Sequence, residues 1–269
     1  MPDLVPRFRE DHVAVIEAFI AHHVGASGRK GVVLGLSGGL DSAVVAKLCA
    51  EAIGPRRVLG VGLPEGDGGR DIDDARAWAE ALGIGWRVLD IHPVAAAFES
   101  ELRASRADRV ARGNIRARVR MTVLYYVANT ERRLVMGTGN KSEILTGYFT
   151  RWGDGGVDLL PIGDLYKTQV RGMARHLGVP KRILDKVPTA GLWAGQTDEG
   201  ELGISYDALD RILLGIELHL EPEAIAEKAD VPLAKVRDVE SLVASSAYKR
   251  KMPLIPKLGV RTVGLDWRE

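Results

Sequence analysis

At 269 residues, with 46% hydrophobic and 27% charged residues, the chain can bury one substantial α/β core and has an ordinary globular composition. Its 37 Lys and Arg residues offset 36 Asp and Glu to leave +1, so no global field holds nucleic acid or an anionic membrane, and an anionic ligand must be caught locally. The single Cys49 excludes an internal disulfide and a multi-cysteine metal site, and no run of about eighteen uncharged apolar residues is present to span a bilayer.

The opening MPDLVPRFRED lacks a signal-peptide core, so a cytoplasmic protein is expected. Val13, Ile16, Ile20 and Val24 recur at helical spacing and predict a first helix. GVVLGL then reads as a buried strand, and Ala43 to Ala52 as a helix on which Cys49 is a buried structural thiol. A second strand, Val58 to Leu63, ends at Pro64 and the polar EGDGGR. Asp71 to Leu82 is helical, with Asp71, Asp73 and Asp74 read as capping and dipole-compensating charges rather than metal ligands. Trp86 to Asp90 makes a third strand, and Ile115, Val119, Thr122 and Tyr126 share one face of a long helix. Arg133 to Thr138 makes a fourth strand. This alternation predicts a doubly wound, mostly parallel α/β sheet with helices on both faces.

After the GDGG turn the pattern changes. Leu159 to Ile162 fits a short strand and Lys167 to Leu177 a helix. Pro188 to Leu202 shows little periodicity, and its length predicts a functional lid. Tyr206, Leu209, Leu213 and Ile216 form the apolar face of a helix in a C-terminal helical portion, 203–247, of one domain spanning 1–269. Glu223 to Leu242 has a helix-turn-helix pattern, with the turn at 229–232. Asp238 and Glu240 oppose Lys235 and Arg237 there, so helical packing is a better account than DNA binding.

The junction VVLGLSGGLDSAVVAKL carries more polar chemistry than a helix start needs. In open α/β sheets ligands bind beyond the carboxyl ends of strands, where Ser37-Gly38-Gly39 lies. Gly38 and Gly39 let backbone N–H groups approach an anion at a helix N-terminus, and Ser37 and Ser42 add hydroxyl donors. Asp41 would repel phosphate unless a divalent cation such as Mg²⁺ stood between them. Simple helix capping by Ser37 or Asp41 is the plainer alternative.

This Ser-Gly-Gly-x-Asp-Ser loop resembles the pyrophosphate loop of N-type ATP pyrophosphatases, which have an adenine nucleotide alpha hydrolase-like fold. GNIRARVRM, GTGNKSEILTGYFTRWGDGGVDLLPIGDLYKTQVR, PTAGLWAGQTDEGELGISYDALD and YKRKMP resemble the ammonia-dependent NAD⁺ synthetases, from about Val32 to Leu258. The resemblance implies amidation of deamido-NAD⁺ with ammonia and ATP, through an adenylated intermediate, giving NAD⁺, AMP and pyrophosphate. It implies ATP contacts from Gly35, Leu36, Ser37, Gly38, Gly39, Leu40, Asp41, Ser42, Thr138, Lys167 and Thr189. Mg²⁺ would be held by Asp41 and Glu143. Deamido-NAD⁺ would be met by Asn114, Arg118, Arg151, Asp154, Asp158, Glu201, Tyr248 and Lys249, in a homodimer with the site near the interface.

Physical arguments accompany several of these assignments. Lys167 opens a helix, where a cation opposes the dipole, which favours a functional role. Arg116, Arg118 and Arg120 alternate along one helix, so at most one or two can share a site. Asp154 is a candidate to bind a ribose hydroxyl or to receive ammonium and remove its proton, while a plain turn remains the alternative for GDGG and a turn or capping carboxylate for Asp158. Two departures from the family pattern stand out: Tyr248 replaces a frequent His, and LPEGDGGRDIDDA replaces a Thr-rich loop. Rival adenylating enzymes fit less well. A tRNA thiolase usually needs paired cysteines, and a GMP synthetase needs a further dimerisation domain. No glutamine-hydrolysing segment is evident, so ammonia is expected free or from a separate amidase subunit.

Overall fold

The computed structural model describes residues 3–105, 108–193 and 195–263. Helix α1 (Asp11–Ala26) buries Ile16, Ile20 and Val24, which share one helical face. Strand β1 (Gly31–Gly35) leads through a glycine turn into α2 (Leu40–Ile53), and β2 (Val58–Gly62) is followed by α3 (Gly69–Leu82) and β3 (Gly85–Val88). Helix α4 (His92–Glu101) and the long α5 (Arg109–Glu131) precede β4 (Arg133–Met136) and α6 (Lys141–Thr146). Helices α7 (Lys167–His176), α8 (Lys181–Leu184) and α9 (Asp198–Leu202) lead to the closing set α10 (Tyr206–Glu217), α11 (Pro222–Ala229) and α12 (Leu233–Ser245). No described helix is long and apolar enough to cross a membrane.

The four strands are parallel in the order β3-β2-β1-β4. Val32 and Leu34 of β1 enter one core with α1, α2 and α7, while Val33 enters the opposite core with Val119, Leu124 and Val127 of α5. This alternation buries both faces of the sheet, as parallel strands require. A third cluster joins Tyr206, Leu209 and Leu213 of α10 to Ile225 of α11 and Val236 of α12. The expected helix-turn-helix pair is therefore a packing unit: α11 and α12 join around Asp230, at φ +56°, and Val236 and Val239 face the cluster.

Three expectations need correction. The third strand runs over Gly85–Val88 rather than Trp86 to Asp90, because it is a largely exposed edge strand with no two-sided apolar run to mark it. Leu159 to Ile162 contributes one parallel bridge, Leu159 to Met136, and Pro161 lacks the N–H that a longer ladder would use. The 188–202 segment ends in a helix: Thr197 caps α9 by accepting the Gly200 N–H at 3.2 Å, and the described residues 188–193 and 195–197 before it are non-helical.

Candidate active site

Strands β2 and β3 lie on one side of β1 and β4 on the other, so the chain reverses direction across the sheet between β1 and β4. A crevice opens outside the carboxyl ends at such a switch point. Here it is a cavity of about 720 Å³ bordered by Gly35, Ser37, Asp41, Thr138, Glu143 and Lys167.

The glycine turn is built tightly. Gly38 has φ +78°, and a Cβ there would stand 2.2 Å from the Asp71 carbonyl oxygen, so only glycine fits against the first turn of α3. Ser42 Oγ donates to the Gly39 carbonyl at 3.0 Å and accepts the Ser37 N–H at 3.3 Å; Ser37 Oγ lies 3.1 Å from Ser42 Oγ. The two hydroxyls therefore shape the turn in addition to standing at its surface. Gly39 is the N-cap of α2 and offers no side-chain cap; Ser37 Oγ accepts only the N–H of Gly39 itself, at 3.3 Å, and Asp41 does not cap the helix. The capping alternative falls, and a helix N-terminus with partial positive charge stands at the cavity wall.

Asp41 and Glu143 converge on one cation, the Lys167 ammonium, which hydrogen-bonds Asp41 and lies 3.6 Å from Glu143 Oε1. Lys167 is only 3% exposed. Glu143 also does what a first-turn carboxylate does, accepting the Asn140 N–H at 3.1 Å in a capping box, and Asn140 Nδ2 donates to Asp41 Oδ1 at 3.4 Å. Burial pushes the Glu143 carboxyl up to about 8, with Lys167 opposing and Asp41 reinforcing the rise. Burial also works against the Lys167 charge, but the Asp41 and Glu143 carboxylates outweigh it and hold its pKa above the ordinary lysine value. Asp198, which sequence reasoning missed, borders the same cavity: Oδ2 accepts the Tyr206 hydroxyl at 3.1 Å and the buried Oδ1 has no hydrogen-bond partner. Its carboxyl is raised, first by burial. The only signal for it was its place within the QTDEGEL stretch.

These residues fit a hard divalent cation. Asp41 and Glu143 offer oxygen donors that already share a positive group. Among the described residues no three His, Cys, Asp or Glu form a metal cage, so phosphate oxygens would have to complete the shell.

The residues expected to meet the dinucleotide divide into two sets. Asn114, Asp154, Glu201 and Lys249 border the cavity. Thr150 Oγ1 donates to Asn114 Oδ1 at 2.7 Å, and Lys249 Nζ donates to the Gly147 and Phe149 carbonyls at 2.7 and 2.9 Å. Glu201 accepts the Tyr148 hydroxyl at 2.9 Å. Asp154 accepts the Thr150 N–H at 2.8 Å, yet loss of solvent in the concave wall raises its carboxyl; burial lowers Lys249 against the pull of Asp154. Arg118, Arg151, Asp158 and Tyr248 stand outside this cavity. Arg151 lies over Trp152 and Tyr248 at 5.0 and 5.8 Å, and Arg118 reaches the Arg151 carbonyl at 3.4 Å. Asp158 serves the fold, accepting the Val135 N–H at 2.8 Å and the Tyr125 hydroxyl at 3.0 Å.

Of the three alternating arginines, Arg120 enters the cavity wall, donating to the Leu63 carbonyl at 3.0 Å, while Arg116 is bound to Glu65 and Glu99. Thr189 also borders the cavity and accepts the Gly191 N–H at 3.1 Å. Asp71 stands in the first turn of α3, as the dipole reading expects, but the acidic cluster does not cap the helix, which starts at Gly69; Asp71 and Asp74 also bind Lys186, a second cavity residue missed in the sequence.

A parallel α/β sheet with an uncapped glycine turn and a shared-cation carboxylate pair at its switch point defines a nucleotide-using enzyme. The NAD synthase family model matches residues 12–253. An NH₃-dependent NAD⁺ synthetase from Methanosarcina mazei is 48% identical over 243 residues, covering 89% of this chain and 95% of that one. The structure of NMN synthetase from Francisella tularensis superposes with a TM-score of 0.81 at 34% identity, covering 93% of this chain and 98% of that one. An NH₃-dependent NAD synthetase from Campylobacter jejuni, in complex with nitrate, gives a TM-score of 0.78 at 28% identity, with 92% and 98% covered. The chain belongs to the NAD synthase family, and is a ligase that forms a C–N bond.

Proposed function

We propose that the chain converts deamido-NAD⁺, ATP and ammonia to NAD⁺, AMP and pyrophosphate. The observation that carries this reading is the convergence of Asp41, Glu143 and Lys167 beside the Ser37–Gly39 turn at the β1/β4 switch point. The nicotinate carboxylate oxygen attacks the α-phosphorus of ATP, and the bond to the β-phosphate oxygen breaks to release pyrophosphate. Ammonia then attacks the acyl carbon of the adenylate, loses a proton, and AMP departs with the C–O bonding pair. The turn and the α2 N-terminus hold the phosphates, Lys167 follows their charge, and Thr138 and Thr189 border the nucleotide. Mg²⁺, held by Asp41 and Glu143, would supply neutralisation of the departing pyrophosphate. Asp154, a cavity carboxyl with raised pKa, suits a base that takes the ammonium proton. No group in this set is a protein nucleophile, so the acceleration comes from positioning and electrostatics.

The outer set, Arg118, Arg151 and Tyr248, fits a surface that a second copy completes around the far half of the dinucleotide, in a cytoplasmic homodimer. A second reading is favoured by the same division: the cavity set alone could serve a mononucleotide, as the name of the Francisella tularensis relative suggests.

The test is NAD⁺ formation by the purified protein with ATP, Mg²⁺ and deamido-NAD⁺, comparing ammonium with glutamine, and nicotinate mononucleotide with the dinucleotide. NAD⁺ with ammonium alone is expected. Preference for the mononucleotide selects the second reading, and no amide product from either substrate removes both. Full turnover by Asp41→Ala would remove the metal assignment.

A further inference from the structure

Lys186 lies just after α8, at the root of the loop that begins at Pro188, and its side chain is three-quarters buried. An ammonium has three N–H donors. Here they meet the Gly38 carbonyl at 2.9 Å, Asp71 Oδ1 at 2.7 Å and Asp74 Oδ2 at 2.9 Å. Arg182 Nε adds a second tie to Asp74, at 2.9 Å. Gly38 is already pressed on α3, since a Cβ there would meet the Asp71 carbonyl. One lysine thus joins the glycine turn, the first turns of α3 and the loop root.

The Gly38 carbonyl and the Gly39 N–H belong to one planar trans peptide and point to opposite sides of it. Gly39 N–H points to Ser37 Oγ, at 3.3 Å, on the edge of the cavity. If that peptide turned over, an oxygen would replace an N–H where phosphate is to be received. Glycines permit such a turnover at little steric cost, so something else must prevent it.

We propose that Lys186 is a positioning residue for ATP: it holds the Gly38 carbonyl against α3 and so keeps the N–H side of the glycine turn toward the phosphates. This rests on the reading that ATP lies on this turn. It assigns Asp71 and Asp74 to the same device, as the anchors that hold the ammonium on the far side of the peptide.

The experiment is calorimetric ATP binding, without deamido-NAD⁺, to the wild type, Lys186→Met, Lys186→Arg and Asp71→Asn, each checked by circular dichroism. Lys186→Met should weaken ATP binding about tenfold or more, the scale of one hydrogen bond to a charged group, and Lys186→Arg should recover most of the loss. Asp71→Asn should weaken it in the same direction by about threefold. Because Asp71 is more than half exposed, that variant carries the test even if Lys186→Met does not fold. ATP binding by folded Lys186→Met within about twofold of the wild type overturns the proposal, since a charged hydrogen bond is worth more than that. Tighter ATP binding by Asp71→Asn also overturns it, because Lys186 would then be a direct phosphate ligand that Asp71 restrains. Failure to bind ATP in the wild type removes the premise. Because binding alone is read, a wild type that binds ATP but makes no NAD⁺ counts against the proposed reaction and not against this pin.

Discussion

Lys167 gives Asp41 and Glu143 a cation from within the chain, and any divalent ion at those carboxylates must compete with it. A unit charge about 4 Å from another is worth about 4 kcal/mol at an effective dielectric near 20. Lys167→Met is therefore expected to tighten Mn²⁺ binding in the absence of ATP by at least roughly tenfold, while weakening the hold on ATP phosphates. Titration followed by Mn²⁺ electron paramagnetic resonance reads this directly; unchanged affinity in a folded variant would show that the ammonium does not compete. The sequence singled out Lys167 because a cation at a helix start is locally wrong. It gave no such mark to Asp198 or Lys186. Lys186 meets Gly38, far along the chain, and Asp198 reaches the cavity only through the fold, and no local period encodes either placement. The choice of Arg120 over Arg118 depends on which side of α5 packs on the sheet, where Val119, Leu124 and Val127 are buried.

At the level of elements, the position of Lys167 depends on how α7 starts. Ser142 Oγ of α6 accepts the Lys167 N–H at 3.0 Å and donates to Asp210 of α10, whose other oxygen accepts the Thr168 N–H at 2.8 Å. Asp210 is fully buried, so two neighbouring elements take the Lys167 and Thr168 N–H groups, while the local Gln169 side chain accepts the Tyr166 N–H at 2.9 Å. Asp210→Ala leaves these donors unmet and should cost about 3 kcal/mol of stability, read by urea unfolding. The KM for ATP should rise with it, because Lys167 loses its seat; unchanged KM would separate the cap from the site. The same elements show what periodicity can reveal. Strands β1, β2 and β4 were readable because parallel strands with helix-covered faces are apolar runs. For the edge strand β3 the pattern begins one residue late and runs two residues too far, and it gives no sign of the mostly exposed α4, since neither buries enough surface to imprint a period.

For the whole molecule, the cavity gathers carboxyls whose pKa values burial raises: Glu143, Asp154 and Asp198, with Asp210 behind them. A carboxyl raised in the folded state contributes stability that is complete below its unfolded pKa and is lost as pH rises through the folded value. For Glu143 that window runs from 4.5 to about 8. Glu65, Glu99 and Glu217 act in the opposite sense: hydrogen bonds from Arg116, Arg112 and Lys141 respectively lower them, so their contribution is lost only as pH falls below the ordinary carboxylate range. The ligand-free protein should accordingly be most stable in mild acid, and its thermal midpoint should fall between about pH 5.5 and pH 8.5. Glu143→Gln removes the group that titrates across that interval and should flatten the profile. Saturating Mg²⁺ and ATP should flatten it too, because a cation bound at Asp41 and Glu143 favours the ionised carboxylate at every pH in the range. Thermal unfolding scans across the interval decide it. A profile that is flat in the wild type and unchanged in Glu143→Gln would mean that Lys167 alone keeps Glu143 ionised, and the carboxylate pair would then be preset for its cation rather than charged by it.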